Sequence, residues 1–245
     1  MNTTEGKKAV IVGASSGIGR EVAQLLIADG WILGVAARRK GPLLELKAIA
    51  PERVEVMAID VTKYDAGEQL MSLIERLGGM DLYFHASGIG KQNRDLEPGI
   101  ELRTMETNAV GFTRMTDTAY RYFAEQGEGH IAAITSIAGT KGLGPAPAYS
   151  ATKALQATYL QALEQQARQR GLNIRITDIR PGFVDTALLN DNFKYPMLMR
   201  PETVALDIVR SIYRKRHIRI IDWRYRILTF FWRLIPNWIW CRMKL

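Results

Sequence analysis

Apolar residues fall into short unbroken runs that alternate with stretches of helical spacing along most of the chain. Residues 9–12 (AVIV) form the first run. It ends in a glycine turn, after which Val22, Leu25 and Leu26 recur at the interval of an amphipathic helix. The unit repeats: 31–37 predicts a strand and 43–50 a helix, 54–59 a strand and 66–77 a helix, then 81–86 a strand. Residues 100–126 predict long helical material, 129–135 a strand, 148–170 a helix and 174–179 a strand. Pro201 followed by Glu202 opens a last core helix through about Tyr213, and 218–221 reads as a closing edge strand. Strands that are continuously apolar and separated by helices imply βαβ crossovers, hence a parallel sheet covered on both faces. The predicted fold is a doubly wound α/β domain.

Composition bounds this picture. With 245 residues, 47% hydrophobic and 24% charged, the chain is neither disordered nor fibrous and has enough length for a core without staples. Its single cysteine, Cys241, excludes a disulfide framework and a cysteine metal quartet. Residues 1–8 are polar and lack the charged-then-apolar pattern of export, so a cytoplasmic location is expected. Net charge is +8, but residues 210–245 hold ten Lys or Arg against one acid, Asp222, so the rest of the chain is close to neutral. Four of the five tryptophans lie there too. The sequence therefore divides into a body, 1–222, and a basic aromatic extension, 223–245.

The turn after the first strand reads Gly13-Ala14-Ser15-Ser16-Gly17-Ile18-Gly19. Glycines there let backbone amides and a helix N-terminus approach a diphosphate, or serve packing alone. No Gly-Lys-Ser/Thr follows, which excludes a triphosphate-binding loop and favours a dinucleotide. The second strand ends Ala36-Ala37-Arg38-Arg39 where an acid would meet free ribose hydroxyls. A guanidinium suits a 2′-phosphate instead, so NADP(H) is expected, with Arg38 first, Arg39 beside it and Ser15 helping. The competing reading is of two ordinary surface charges. Asp60, after the third strand, is placed either for the adenine edge or as an exposed strand-end acid.

Tyr149 and Lys153 lie four residues apart at the start of a helix, on one face. A nearby positive charge favours the phenolate and makes the tyrosine a usable acid or base nearer neutral pH. Ser136 ends the preceding strand at the sheet edge where doubly wound folds place ligands. With these residues the chain resembles the short-chain dehydrogenases/reductases over roughly residues 6–222. The shared elements run in order: Gly13-x-x-x-Gly17-x-Gly19, Asp60-Val61, Asn108, Ser136, Tyr149-x-x-x-Lys153, and Pro181-Gly182 followed by Thr186. The resemblance implies that Tyr149 is the general acid/base, that Ser136 holds the substrate oxygen, and that Lys153 lowers the tyrosine pKa while binding the nicotinamide ribose. It further implies that Asn108 holds a water relaying protons to Lys153. Pro181, Gly182, Val184 and Thr186 would line the nicotinamide, with Asp60, Val61, Ala86, Ser87 and Gly88 on the adenine side. His85 departs from the family pattern by opening the His85-Ala86-Ser87-Gly88 segment; it is expected to be a hydrogen-bonded structural histidine.

Residues 187–200 form the variable region that, in this family, covers the substrate. Leu188, Leu189 and Phe193 make it apolar and point to a hydrophobic ketone or secondary alcohol, unless they only close the core. The expected protein is an NADP(H)-dependent carbonyl reductase, a homodimer or homotetramer by resemblance. The alternative is a dinucleotide-binding sensor or membrane-surface scaffold without turnover. In the extension, Ile227, Phe230, Phe231 and Leu234 recur at helical spacing among arginines, with Pro236 as a breaker. The segment is too short and charged to span a bilayer but suits a membrane surface, at the inner face of a membrane. It would otherwise pack over its own cleft or a sister subunit. A nucleic-acid partner is not expected, since no groove-reading element accompanies the basic tail.

Overall fold

The computed structural model describes residues 6–189 and 195–243. Seven parallel strands form one sheet: β1 (Lys8–Val12), β2 (Ile32–Ala37), β3 (Val54–Ala58), β4 (Leu82–His85), β5 (Glu128–Ile134), β6 (Asn173–Arg180) and β7 (Ile218–Ile220). Their spatial order is β3-β2-β1-β4-β5-β6-β7, so the direction of travel reverses between β1 and β4. Helices α1 (Gly17–Ala28), α2 (Lys40–Ile49) and α7 (Pro201–Tyr213) cover one face; α3 (Ala66–Leu77), α5 (Phe112–Gln126) and α6 (Pro147–Gln169) cover the other. The continuous apolar run of β1 now has its reason: side chains alternate along a strand, and Ala9 and Ile11 enter one core while Val10 and Val12 enter the other. This is the doubly wound α/β fold that the alternation predicted.

The long helix expected over 100–126 is interrupted. It comprises α4 (Pro98–Met105), a π-helical turn at Glu106–Gly111, and α5. The turn passes close to the end of β3, where a Cβ on Gly111 would lie 2.8 Å from Val61 Cγ2. An extra residue in a turn leaves apolar spacing nearly intact, so periodicity alone did not reveal it. Asn108 sits in this turn, fully buried.

Beyond β7 the chain forms α8 (Trp223–Leu234) and α9 (Asn237–Trp240), separated at Pro236. Tyr225 is fully buried in the same core as α1 and α7, with Leu228 and Trp232 packed against that core. The opposite face of α8 leaves Trp223, Ile227, Phe230, Phe231 and Leu234 exposed. The end of the tail lies on its own body: Trp240 Nε1 donates to the Gly142 carbonyl at 2.7 Å, and Lys141 Nζ donates to Ile235 O and Asn237 Oδ1. Among the described residues, no helix is long and apolar enough to cross a membrane.

Candidate active site

The reversal between β1 and β4 opens a crevice at the carboxyl ends of the strands, and the expected site residues line it. Gly13 has φ +97°, and a Cβ there would lie 2.5 Å from Ser87 N; a Cβ on Gly19 would lie 2.3 Å from Gly13 O. Both glycines are thus demanded by packing of the turn against the Ala86–Ser87 backbone. Gly17, with φ +54°, opens α1 and faces the Thr186 methyl. The first amides of α1 receive no side-chain cap from Ser16. An uncapped helix N-terminus is a donor set suited to a diphosphate, so the cradle fits a dinucleotide.

Beside this cradle, Arg39 Nη2 lies 3.3 Å from Ser16 Oγ and 3.5 Å from Ser15 Oγ. The expectation put Arg38 first; the geometry puts Arg39 with the serines. Arg38 instead acts on Asp60. That carboxylate accepts from Thr62 N at 3.1 Å and Thr62 Oγ1 at 2.8 Å. Burial raises its pKa, but the Thr62 bonds and the charges of Arg38 and Lys63 outweigh this and hold it below the usual carboxylate value. Val61 is buried and its carbonyl accepts from Arg114 Nη1 at 2.7 Å, tying the end of β3 to α5.

On the other side of the crevice, Ser136 follows β5 in extended conformation and caps the 3₁₀ turn Ile137–Thr140, its Oγ accepting from Ala138 N at 3.1 Å. That turn presses on α6, since a Cβ on Gly139 would lie 2.7 Å from the Lys153 backbone. The contact places Ser136 beside Tyr149, close enough for its hydroxyl to act on the phenol. Gly90 lies flat against the phenol: a Cβ there would meet the Tyr149 ring at 2.9 Å. Burial pushes the phenol above its ordinary pKa, and the Ser136 hydroxyl opposes this. Burial and Ser136, not the lowering expected of Lys153, set the phenol in this geometry. Lys153 Nζ sits 5.7 Å from the ring centroid and is itself brought down to about 7 by burial, against the pull of Asp178.

Lys153 Nζ donates to Ile134 O at 3.0 Å and to Gln156 Oε1 at 2.9 Å. Asn108 spends its side chain on Ile89, accepting from its N at 2.9 Å and donating to its O at 2.7 Å. The Asn108 carbonyl accepts from Gln156 Nε2 at 2.8 Å. His85 is fully buried and hydrogen-bonded: its Nε2 meets the Ser87 carbonyl, an acceptor only, so Nδ1 accepts from Tyr83 O–H at 2.8 Å. Burial, then the Lys153 charge, bring its pKa down to about 3, so it stays neutral.

The loop from Pro181 crosses in front of α1, with Val184 buried and Thr186 against Gly17. Gly182 is needed by the tail, because a Cβ there would lie 2.2 Å from the Tyr225 ring. Of the residues expected to touch substrate, Leu188 is exposed, Leu189 half-buried, and Phe193 lies outside the described residues. Tyr195, by contrast, packs against Phe183 with centroids 4.7 Å apart and ring planes tilted by 43°, and accepts from Gln92. A recess of about 590 Å³ lies on the far side of the first turns of α6, between Gly139–Gly144, Ala151 and Asn237. Ser136, Tyr149 and Lys153 do not line it, so it is separate from the crevice.

Comparison with known proteins agrees with the fold. The family described as short chain dehydrogenase matches residues 7–195. An uncharacterized oxidoreductase of Myxococcus xanthus (strain DK1622) is 32% identical over 241 residues, covering 94% of this chain and 93% of the relative. One from Mycobacterium tuberculosis (strain CDC 1551 / Oshkosh) is 31% identical over 89% of this chain and 88% of the relative. A third, from Staphylococcus aureus (strain MRSA252), is 29% identical over 90% and 96%. The chain belongs to the short-chain dehydrogenase/reductase family. It is therefore an oxidoreductase acting on CH–OH or C=O groups with a nicotinamide dinucleotide.

Proposed function

We propose that the protein is an NADPH-dependent reductase of hydrophobic carbonyl compounds, with Tyr149 as proton donor, Ser136 and Tyr149 holding the substrate oxygen, and Lys153 meeting the nicotinamide ribose. The observation that carries this reading is the placement of the Tyr149 phenol next to Ser136 and 5.7 Å from Lys153 Nζ at the carboxyl edge of the sheet. Two hydroxyls converge there on one point, as a developing alkoxide requires. A phenol kept above its ordinary pKa is protonated at neutral pH, which suits donation and thus reduction. When bound, the nicotinamide supplies the hydride. Arg39 between Ser15 and Ser16 supports the phosphorylated cofactor. The intact set of hydroxyl, phenol and ammonium weighs against a sensor without turnover.

The test is NADPH oxidation against a panel of apolar ketones and aldehydes. Arg39→Ala is expected to raise KM for NADPH about 10- to 100-fold, the loss of one charged contact, and to leave NADH unchanged. Equal effects on both cofactors would overturn the 2′-phosphate assignment, and no oxidation with any carbonyl would overturn the reductase.

We further propose a cytoplasmic homo-oligomer held at an anionic membrane surface. Exposed Leu102, Met105, Val110 and Leu155 on the elements that carry Asn108 and Tyr149 support self-association. The outer stripe of α8 supports the membrane: five large apolar residues flanked by exposed Arg226 and Arg233, while the acid Asp222 is bound by Arg224. In sedimentation with anionic vesicles, the full chain should pellet and a Phe230→Asp/Phe231→Asp variant, equal in size by light scattering, should stay in solution. Equal pelleting would remove the membrane reading, and a monomeric wild type would remove the oligomer.

A further inference from the structure

Lys153 and Asn108 are joined by a side chain that no motif in the sequence singled out. Gln156 lies one turn beyond Lys153 on α6, is fully buried, and makes both of its amide bonds inside the site: Oε1 accepts from Lys153 Nζ at 2.9 Å and Nε2 donates to Asn108 O at 2.8 Å. The π turn at Glu106–Gly111 carries Asn108 and brings its carbonyl to α6. A carboxamide fixed at both ends cannot reorient, so it holds what it bonds in one place.

We propose that Gln156 is a positioning residue, a rigid amide bridge that ties Lys153 to the Asn108 backbone and holds the Lys153 ammonium between Ile134 and the phenol. This rests on the reading of Lys153 as part of the catalytic set. Its geometric content is that two of the three ammonium hydrogens are fixed by Ile134 O and Gln156 Oε1, which aims the remaining one away from both.

The groups that bear on Lys153 are few. Tyr149 lies on its own helix, neutral His85 at the end of β4, and Asp178 on β6, where Asp178 is held by Thr135 Oγ1 at 2.5 Å and by Arg180. Gln156 is the side chain that meets the ammonium directly from α6. An acceptor on the charged form favours it, so losing that acceptor lowers the lysine pKa.

The test follows Lys153 by NMR of the full chain with carbon-13-labelled lysine, without cofactor, the signal being assigned by its loss in Lys153→Met. Gln156→Leu keeps the volume and removes both bonds; it should lower the Lys153 titration by about one pH unit. Gln156→Glu keeps an oxygen on the ammonium and should hold the titration at or above the wild-type value. In the wild type the Gln156 carboxamide protons should exchange slowly with water, a readout that needs no variant to fold. A Lys153 titration unmoved in Gln156→Leu, or fast carboxamide exchange, overturns the proposal. The oxidoreductase reading fails separately: a shifted titration with no carbonyl compound reduced leaves the bridge standing and removes the activity.

Discussion

Replacing Tyr149 by phenylalanine is expected to lower kcat for carbonyl reduction by about 100- to 10,000-fold, the range that a positioned acid contributes, with NADPH binding changed by less than about twofold. The substitution removes one oxygen. The ring keeps its place because its packing surface is the Gly90 backbone, and α6 keeps its start at Pro147. The Ser136 hydroxyl keeps its bonds to Ala138 N and the Pro181 carbonyl, at 3.1 Å and 3.5 Å. What disappears is the proton, which burial keeps on the phenol at neutral pH. Ser136→Ala should cost less, since it removes one oxygen-binding group and leaves the donor. Stopped-flow NADPH oxidation measures the first quantity and fluorescence titration the second. Turnover retained in Tyr149→Phe would sink the mechanism, and loss of cofactor affinity along with turnover would mean that the phenol serves binding instead.

The fold was legible in the sequence because its signals are local. Each parallel strand is an apolar run and each crossover helix has its own period, so β1 and α1 could be read from residues 9–27 alone. Ser136, Tyr149 and Lys153 were legible as motifs, although only the press of Gly139 on α6 brings the serine to the tyrosine. What stayed hidden depends on a single residue of register. Arg38 and Arg39 are adjacent at the end of β2, and which one turns toward Ser15 and Ser16 is decided by the local path of the strand, not by charge. The π turn was invisible because one extra residue barely disturbs the spacing of the apolar positions around it. Gln156 did carry a signal: a polar residue three positions after Lys153, hence on the same helix face, at a place that the amphipathic pattern would fill with an apolar side chain. It went unread because a glutamine in a helix is unremarkable until its two neighbours are known.

The tail misleads in a different way, and the second large effect follows from it. Spacing singled out Ile227, Phe230, Phe231 and Leu234, and these form the exposed stripe; the residues that join α8 to the body, Tyr225, Leu228 and Trp232, lie on the opposite face. A helix apolar on both sides reads as one amphipathic surface when only one stripe is followed. Tyr225→Ala is therefore expected to destabilise the whole domain by about 3–5 kcal/mol, the cost of emptying a fully buried aromatic site. For a domain of this length that lowers Tm by roughly 10 °C or more. The ring fills the space that Gly182 leaves open, so removing it exposes the loop that crosses in front of α1. Its hydroxyl accepts from Phe183 N at 3.2 Å and reaches the carbonyls of Pro196 and Met197 at 2.9 Å and 3.1 Å, tying together two segments that flank the crevice. Tyr225→Phe should accordingly cost about 1–3 kcal/mol and raise KM for the carbonyl substrate more than it lowers kcat. Trp238→Ala, in the same tail but exposed, should stay within about 0.5 kcal/mol of the parent. Thermal unfolding by circular dichroism separates the three. A Tyr225→Ala variant as stable as Trp238→Ala would mean that the extension is a detachable module, and a chain ending at Asp222 would then fold unchanged. If the loss is large, that truncation removes part of the core together with the membrane-facing stripe, and the charge substitutions on the outer face of α8 become the sound way to test the two functions of the tail apart.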